Sequence, residues 1–350
     1  SMRIVHVNLE KNWRGGERQV LYLMEGLRDI GHECTLVARS GKPLAERARK
    51  CGFPVRGVTV PFLLRGAALK GHDIVHVHET RGLQVASLWK PVHQTPIVFT
   101  RRVDNPPSAN PLTRFFYASV SRMAVISRAI AGVMGNWGFD PSLIRVIPSA
   151  VRISPQRDAR AVADLRARFR GKKVIGCVAT LEPRKDHRTL LKAAGIVQEA
   201  RKDVLFILLG DGALRKGLEA QARAGGLGNV VFEGFKDDPY PYYEVFDLFV
   251  ITSRQEGLGS SILDAFAYGV PVVATAAGGI PDIVRNGETG LLAGVGDAHG
   301  VASAILRMLE DDALRMHCVR RAMELVSEKF SIGSMARSYD ALYREIVCDT

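Results

Sequence analysis

The feature that most constrains the fold is a repeated alternation of short apolar runs with helical segments. Runs such as RIVHVNL at 3–9 and DIVHVH at 73–78 have the length of strands and are rich in valine and isoleucine. Such strands are typical of parallel sheets, because helices cover both of their faces. The alternation restarts at KKVIGCVATL after a polar connector at 152–172. The chain therefore predicts two doubly wound α/β domains in tandem.

The length of the chain agrees with two hydrophobic cores, since 350 residues is more than one typical domain holds. We assign residues 1–152 to an N-terminal Rossmann-like domain and residues 153–330 to a C-terminal one. Open α/β sheets bind ligands at the carboxyl ends of their strands, so we expect these edges to face each other across a cleft. The remaining segment, 331–350, predicts one more amphipathic helix. Its apolar positions are Met335, Tyr339, Leu342, Tyr343 and Ile346.

The positive charge is concentrated in the first half of the chain. The net charge is +12, and residues 1–150 hold 21 Lys and Arg against 10 Asp and Glu, whereas residues 151–350 hold 27 against 26. A basic surface on one half indicates an anionic partner: nucleic acid, an anionic membrane surface or a phosphorylated substrate. A solvated basic surface without any partner remains the alternative.

Several classes of protein are disfavoured. The five cysteines are scattered and form no C-x-x-C pair, which argues against a disulfide framework or a zinc site. No run approaches the roughly 18 to 20 apolar residues of a membrane span, and the N-terminus has no signal-peptide pattern. These features predict a cytoplasmic protein.

One stretch combines glycine turns with carboxylates: SRQEGLGSSILDAFAYGVPVVATAAGGIP at 253–281. Gly257 and Gly259 keep the first turn open, so that backbone N–H groups can approach an anion at the start of a helix. Glu256 and Asp264 flank this turn. An anion site beside two carboxylates suits a sugar that carries a phosphate.

A second glycine turn follows the first predicted strand. Gly15 and Gly16 in WRGGERQ lie at the carboxyl end of that strand, which is where an open α/β sheet binds its ligand. The turn lacks the G-x-G-x-x-G spacing of dinucleotide-binding proteins. A nicotinamide cofactor is therefore not indicated.

Taken in order, these blocks resemble the retaining nucleotide-sugar glycosyltransferases of the GT-B fold, specifically the group-4 family of bacterial glycosyltransferases. The resemblance is carried by RGGERQ, DIVHVHE, AVISRAI, CVATLEPRKDHRTLLKAA, LLGDGALRKGLE and EGLGSSILDAFAYGVPVVATAAGGIPDIVRNGETGLL. It implies two Rossmann-like domains that face a cleft, with the C-terminal helix crossing back to the N-terminal domain.

The resemblance also implies how the donor is bound. Glu256 matches the acidic residue that contacts the donor sugar, and Asp264 matches the one that holds the ribose hydroxyls, where the family usually has Glu. A carboxylate suits a diol because it accepts a hydrogen bond from both hydroxyls. Gly257, Leu258 and Gly259 form the turn between them.

The family's diphosphate clamp is an Arg followed five residues later by a Lys. Lys185 matches the Lys, but Thr180 occupies the Arg position. A charge-assisted hydrogen bond contributes roughly 1.5–3 kcal/mol, so the loss of one matters unless another cation compensates. Arg184 is the adjacent candidate for that compensation, although it could equally be a solvated surface residue.

In the first domain, Gly15 and Gly16 match the family's turn against the donor phosphates and the acceptor. Glu17 either lines the cleft or is a surface residue at the start of the helix. His78 matches a position near the donor sugar, and we expect a catalytic role for it together with Glu256 and Lys185.

His76 lies on the same face of its strand as His78 and is expected to be a core residue instead. Arg101 and Arg102 follow a strand and are candidates for contacts with a phosphate of the acceptor.

The implied reaction transfers a hexosyl group from a UDP- or GDP-linked sugar to an acceptor hydroxyl with retention of configuration. Neither a cofactor nor a metal is expected, since the chain contains no D-x-D sequence. The expected acceptor is a glycan or glycolipid of the lipopolysaccharide type, with peripheral contact to an anionic membrane.

Two alternatives are a different GT-B enzyme, such as a nucleotide-sugar epimerase or a phosphorylase, and a non-enzymatic binder of nucleic acid. The second is disfavoured because the cations are dispersed and no nucleic-acid motif is present.

Overall fold

The computed structural model describes residues 1–60, 68–152 and 158–348. The chain divides into two compact units: Ser1–Ala150 together with Phe330–Thr350, and Val151–Lys329. We call them the first and the second unit. Residues 153–157 of the predicted connector lie outside the described residues.

The described part of the first unit contains one sheet of seven parallel strands, in the order β3-β2-β1-β4-β5-β6-β7. The strands are β1 (Arg3–Asn8), β2 (Glu33–Arg39), β3 (Val55–Val58), β4 (Ile74–Val77), β5 (Ile97–Arg101), β6 (Arg122–Val125) and β7 (Ile144–Val146). Strands β1, β4 and β5 are buried almost throughout, which explains their continuous apolar pattern.

Some helices of the first unit begin at a residue whose side chain caps the first turn. Ser127 and Asn110 each accept a backbone N–H at the start of a helix. The helices are α1 (Gly15–Asp29), α2 (Pro43–Lys50), α3 (Thr80–Leu88), α4 (Lys90–His93), α5 (Pro111–Ala118), α6 (Arg128–Trp137) and, from the end of the chain, α14 (Ile332–Cys348).

Helix α14 packs against α1 and belongs to the core of the first unit. The contact is close at Gly26, where an added Cβ would lie 2.8 Å from the Cβ of Ala336. Tyr339 and Tyr343 lie on the buried face of this helix. The expectation that the last helix returns to the first domain is confirmed.

The described part of the second unit contains a sheet of six parallel strands, in the order β10-β9-β8-β11-β12-β13. The strands are β8 (Lys173–Val178), β9 (Val204–Leu209), β10 (Val230–Gly234), β11 (Leu248–Ile251), β12 (Val272–Thr275) and β13 (Leu291–Ala293). The helices are α7 (Ala159–Arg168), α8 (His187–Ala200), α9 (Arg215–Ala224), α10 (Tyr240–Tyr243), α11 (Ser260–Ala267), α12 (Ala298–Glu310) and α13 (Asp312–Lys329).

The strand orders locate the ligand edge of each unit. In an open α/β sheet, ligands bind beyond the carboxyl ends of the two strands between which the order reverses. Those strands are β1 and β4 in the first unit, and β8 and β11 in the second. The segments that follow these four strands hold most of the residues that the sequence singled out.

The predicted fold class, with its two Rossmann-like sheets, is confirmed. Strand β7 ends at Val146, shortly before Pro148, which has no N–H with which to continue the ladder. Strand β3 and helix α5 were not predicted, since β3 is short and largely exposed and α5 follows a polar, proline-rich loop.

Candidate active site

In the second unit, the segment after β8 and the segment after β11 are joined by hydrogen bonds. The Arg254 backbone N–H donates to the Arg184 carbonyl at 2.8 Å, and the Thr252 hydroxyl donates to the Asp186 carbonyl at 3.0 Å. Arg254 Nε also lies 2.8 Å from Asp186 Oδ2. Two loops that are distant in sequence therefore form one rigid edge at the strand-order reversal.

This edge brings Lys185 and Glu256 together as an ion pair between Lys185 Nζ and Glu256 Oε2. Each side chain is only 10% exposed. The Ser253 hydroxyl donates to the same carboxylate oxygen at 3.2 Å. Within the described residues Oε1 of Glu256 makes no hydrogen bond, so it can accept from a ligand hydroxyl. Lys185 keeps two N–H donors for an anion.

The backbone of Glu256 is held by the second glycine turn of the same stretch. Gly279 donates its N–H to the Glu256 carbonyl at 2.9 Å. Gly278 has a φ of +52°, and an added Cβ there would lie 2.0 Å from the Glu256 carbonyl oxygen. Only glycine can come this close to the Glu256 carbonyl, so the turn fixes the position of the Glu256 backbone at the edge of the sheet.

The first glycine turn leads into helix α11. Gly259 precedes the helix with a φ of +100°, a conformation that suits glycine. Gly257, Leu258 and Gly259 are all buried. Asp264 is 3% exposed and lies in the second turn of α11, beyond the first turn where a carboxylate would complement the helix dipole.

Thr180 occupies the arginine position of the predicted diphosphate clamp, and Arg184 is the adjacent residue that could compensate for it. The Thr180 hydroxyl is buried and has no hydrogen-bond partner among the described residues. Arg184 is 43% exposed and pairs with Glu182, with 3.1 Å between Nε and Oε2. Arg184 therefore faces a surface carboxylate in this structure and would have to leave Glu182 to bind a phosphate.

Beneath Lys185 lies a buried pair, Cys177 and His187, with 3.8 Å between Sγ and Nε2. Burial raises the pKa of the Cys177 thiol to about 12. Burial and then the Lys185 charge lower the pKa of His187 to about 4. Both groups are consequently uncharged at neutral pH, and Lys185 keeps Glu256 as its ion-pair partner.

In the first unit, Gly15 and Gly16 form the start of α1 after β1. Glu17 is 6% exposed and caps this helix, since its Oε2 accepts the Arg14 N–H at 3.0 Å. Its other oxygen lies 3.4 Å from the Asn8 side-chain amide. Glu17 is therefore a buried helix cap and not a surface residue, and its predicted place in the cleft stays a prediction.

His78 follows β4 and is hydrogen-bonded through both ring nitrogens. Its Nε2 lies 3.0 Å from Nδ1 of His6, and its Nδ1 lies 3.3 Å from Nη1 of Arg102. Arg102 in turn lies beside the glycine turn, because a Cβ added to Gly16 would be 3.8 Å from its Cδ. His78 thus has no unoccupied nitrogen for a substrate in this conformation, and its catalytic role stays a prediction.

His76 is a satisfied core residue, as expected. It bonds the Tyr343 hydroxyl at 2.7 Å and the Thr100 hydroxyl at 2.6 Å. Arg101 also points inward, with Nη1 donating to the Tyr117 hydroxyl at 2.8 Å and Nη2 to the Asn105 carbonyl. Of the two candidate acceptor contacts, only Arg102 lies next to the glycine turn.

The structure thus brings together Lys185 and Glu256 in the second unit, and His78, Arg102 and Gly16 in the first. Sequence reasoning missed Ser253, Asp186 and Arg254, which hold the Lys185–Glu256 pair. A signal for Asp186 existed, because an aspartate directly before a helical segment is a common N-cap. Arg254 gave no signal, since its partners Arg184 and Asp186 come from a different loop. The Ser253–Glu256 hydrogen bond depends on how the chain turns between these two residues, which the sequence does not reveal.

The fold is that of the GT-B glycosyltransferases. The Anabaena protein Alr3699/HepE, solved in complex with UDP-glucose, superimposes with a TM-score of 0.87 over 99% of this chain and 100% of that one, at 21% identity. At this identity the likeness concerns the architecture alone.

Sequence comparison identifies the family. Residues 13–154 match the family described as Glycosyltransferase Family 4, and residues 172–311 match the family Glycosyl transferases group 1. The chain belongs to the group-4 family of glycosyltransferases, as the resemblance predicted.

Two similar proteins come from Rhizobium meliloti (strain 1021), the lipopolysaccharide core biosynthesis glycosyltransferases LpsE and LpsD. LpsE is 29% identical over 97% of this chain and 98% of its own length. LpsD is 26% identical over 98% of both.

Across the described residues, none of the helices combines the length and the apolar character that a membrane crossing requires.

Proposed function

We propose that this glycosyltransferase moves a hexosyl group from a nucleoside-diphosphate sugar to a hydroxyl of a glycan or glycolipid, in the synthesis of lipopolysaccharide-type glycoconjugates. The observation that carries the proposal is the enclosed Lys185–Glu256 pair at the ligand edge of the second sheet. A UDP-linked donor is favoured because the similar HepE binds UDP-glucose, and a GDP-linked donor is the alternative. LpsE and LpsD support the class of acceptor.

The proposed chemistry needs a site that stabilises a departing diphosphate. The bond between C1 of the sugar and the phosphate oxygen breaks, and its electron pair leaves with the nucleoside diphosphate. Lys185 Nζ and the N–H groups at the start of α11 stabilise that charge. Glu256 Oε1 accepts from the sugar hydroxyls, and Asp264 is assigned to the ribose.

We propose retention of configuration by displacement on the same face of the sugar. The acceptor oxygen bonds to C1 on the side from which the diphosphate departs, and the acceptor proton passes to the departing phosphate oxygen. This route requires neither a carboxylate nucleophile nor a metal. Product analysis by proton NMR checks the anomeric configuration, and an inverted product would contradict the proposal.

The proposed acceptor is anionic and lies at the cytoplasmic face of the membrane. The charge excess of residues 1–150 supports this, as do Leu112 and Phe115 of helix α5, which are 62% and 54% exposed. Vesicles with phosphatidylglycerol should bind the protein, and binding should weaken with salt. Equal binding to neutral vesicles would contradict the charge argument.

The experiment that tests the function is release of nucleoside diphosphate that depends on added acceptor. UDP- and GDP-linked sugars are first ranked by thermal shift, since a ligand that binds only the folded state stabilises it. The best donor is then incubated with lipopolysaccharide core acceptors. An epimerase would convert the sugar without acceptor-dependent release, and a phosphorylase would require phosphate.

A further inference from the structure

Three histidines form a buried cluster in the first unit: His6 on β1, His76 on β4 and His78 just after β4. One nitrogen from each lies within 4.8 Å of the others, a spacing that a metal ion could use. Five of the six ring nitrogens, however, already have a hydrogen-bond partner. The Arg102 guanidinium beside His78 also opposes a cation. The cluster is therefore better explained by its hydrogen bonds.

The direction of these bonds follows from the chemistry of arginine. A guanidinium has donors only, so Nδ1 of His78 must accept from Arg102 and carries no proton. A neutral His78 then holds its proton on Nε2 and donates it to Nδ1 of His6. His6 is left with its own proton on Nε2. The chain of donors runs from Arg102 to His78 to His6.

Burying the His6 imidazole costs free energy, and the packing of the ring does not explain why this residue is present. Its side chain is fully buried, and Nε2 has no partner among the described residues. A buried N–H without a partner is unfavourable, so a leucine at this position would remove a penalty. What leucine could not supply is the acceptor that holds His78 in one tautomer.

Arg102 has an unusual environment as well. Its Nε is buried without a partner, and no carboxylate of the described residues lies within ion-pair distance of it. Glu17, the nearby acid, uses its oxygens on Arg14 and Asn8. Buried cations are normally paired, whereas the Arg102 guanidinium, hydrogen-bonded to a neutral imidazole, has no direct ion-pair partner in the described part of the chain.

Hydrogen bonds behind His78 hold the His78–Arg102 pair in place. The Thr100 hydroxyl bonds the Tyr339 hydroxyl at 2.8 Å and His76 Nε2 at 2.6 Å, just before Arg101 and Arg102 in the chain. The His76 ring packs on that of His78, with 4.0 Å between the ring centroids. Helix α14 therefore fixes both the strand that leads to Arg102 and the ring that Arg102 contacts.

We infer that His6 is a positioning residue: it holds His78 in the Nε2–H tautomer, so that Arg102 is oriented by a neutral acceptor and stays available to an anionic group of the substrate. The inference rests on the proposed function for the identity of that substrate. The group it fits is a phosphate or a carboxylate beside the glycine turn.

The first test needs no turnover. In the full-length protein labelled with ¹⁵N-histidine, NMR at pH 7 should show His78 and His6 both as neutral Nε2–H tautomers. Inorganic phosphate should shift the His78 Nδ1 resonance, and Arg102→Met should abolish that shift. An Nδ1–H tautomer or an imidazolium at His78, or no phosphate binding by the wild type, would overturn the inference.

The second test uses a matched pair of variants at position 6. Asparagine places an acceptor near the position of Nδ1, whereas leucine has similar size and no acceptor. His6→Leu should weaken phosphate binding by about tenfold, and His6→Asn by no more than about threefold, which is the scale of one hydrogen bond. Equal, wild-type affinities in both variants would refute the role of His6.

Circular dichroism and melting curves check that both variants fold, and if neither folds, the wild-type tautomers decide. Because these readouts use no sugar nucleotide, they remain valid if no transferase activity is found. Absence of acceptor-dependent release would in turn count against the proposed function alone.

Discussion

Each unit places a largely enclosed cation at the ligand edge of its sheet, but the two cations have different partners. Lys185 is paired with the carboxylate of Glu256, whereas Arg102 is bonded to the neutral imidazole of His78. The first cation has its counter-charge in direct contact, whereas the second has no direct ion-pair partner among the described residues. The second unit is thus built around an internal ion pair, and we propose that the first unit uses its cation to bind an anion.

The largest expected effect is loss of the ion pair in the second unit. Lys185→Met leaves Glu256 as a buried charge without its partner, which should lower the free energy of unfolding by about 3–5 kcal/mol. Transfer should fall by roughly 10²- to 10³-fold, because a donor to the leaving group is lost. Glu256→Ala should likewise abolish measurable transfer.

Lys173 provides the control for this prediction. It pairs with Asp247 at 3.3 Å at the start of β8, the opposite end of the same strand, and its side chain is 51% exposed. Lys173→Met should change stability by less than about 1 kcal/mol and leave transfer unaltered. Full transfer activity in Glu256→Ala would contradict the assignment of the Lys185–Glu256 pair to the active site.

The second largest expected effect is a gain in nucleoside-diphosphate affinity when a cation is added to the second unit. Thr180→Arg introduces the residue that the family usually has, in place of a hydroxyl that has no partner among the described residues. Nucleoside-diphosphate affinity should rise by about 10- to 100-fold, which corresponds to one charge-assisted hydrogen bond. Calorimetric titration measures it, with Thr180→Leu as the control; unchanged affinity would show that position 180 does not face the diphosphate.

Acidification should lower the free energy of unfolding of the first unit more than that of the second. Burial lowers the pKa of His6 to about 3 and holds the pKa values of His76 and His78 well below the usual range, with neighbouring Arg102 and the other histidines adding to the shift. The unfolded chain binds these protons below pH 6.5 and the folded unit does not. Stability is therefore present above pH 6.5 and is lost as pH falls.

The loss should reach about 1.4 kcal/mol per pH unit for each histidine. Hydrogen exchange between pH 6.5 and 5 measures this loss of stability separately for each unit. In the second unit, His187 shows the same direction of shift, with its pKa lowered to about 4. A decline of equal steepness in both units would contradict the role of the cluster.

The smallest effect concerns the stability of the Arg102 variant. Because the described residues offer Arg102 no carboxylate partner, Arg102→Met should change the free energy of unfolding by less than about 1 kcal/mol. Chemical denaturation compares it with Lys185→Met. A loss as large as that of Lys185→Met would remove the contrast between the two cations.

Much of this fold could be predicted from the sequence, because parallel strands are buried on both faces and their apolar runs are continuous. The positions of Glu256, Lys185 and the glycine turns followed from the same pattern and from the family resemblance. The partners of these residues could not be predicted. The Arg254–Asp186 and Lys185–Glu256 contacts join loops about 70 residues apart, and the His6–His78 bond joins β1 to the end of β4.

The direction in which a side chain points at the end of a strand could not be predicted from the sequence either. Arg101 and Arg102 are adjacent and look equivalent in sequence, yet one donates to Tyr117 in the core and the other lies beside Gly16. Successive residues point to opposite faces at the end of a strand, so only one of them can reach the ligand edge.

The central claim is that the Lys185–Glu256 pair binds the donor. The most direct measurement is a calorimetric titration of the wild type and Lys185→Met with the UDP- or GDP-linked sugar that gives the largest thermal shift. We predict one site per chain in the wild type and at least about tenfold weaker binding in the variant. The account would be contradicted if no nucleotide sugar bound the wild type, or if Lys185→Met bound it with equal affinity.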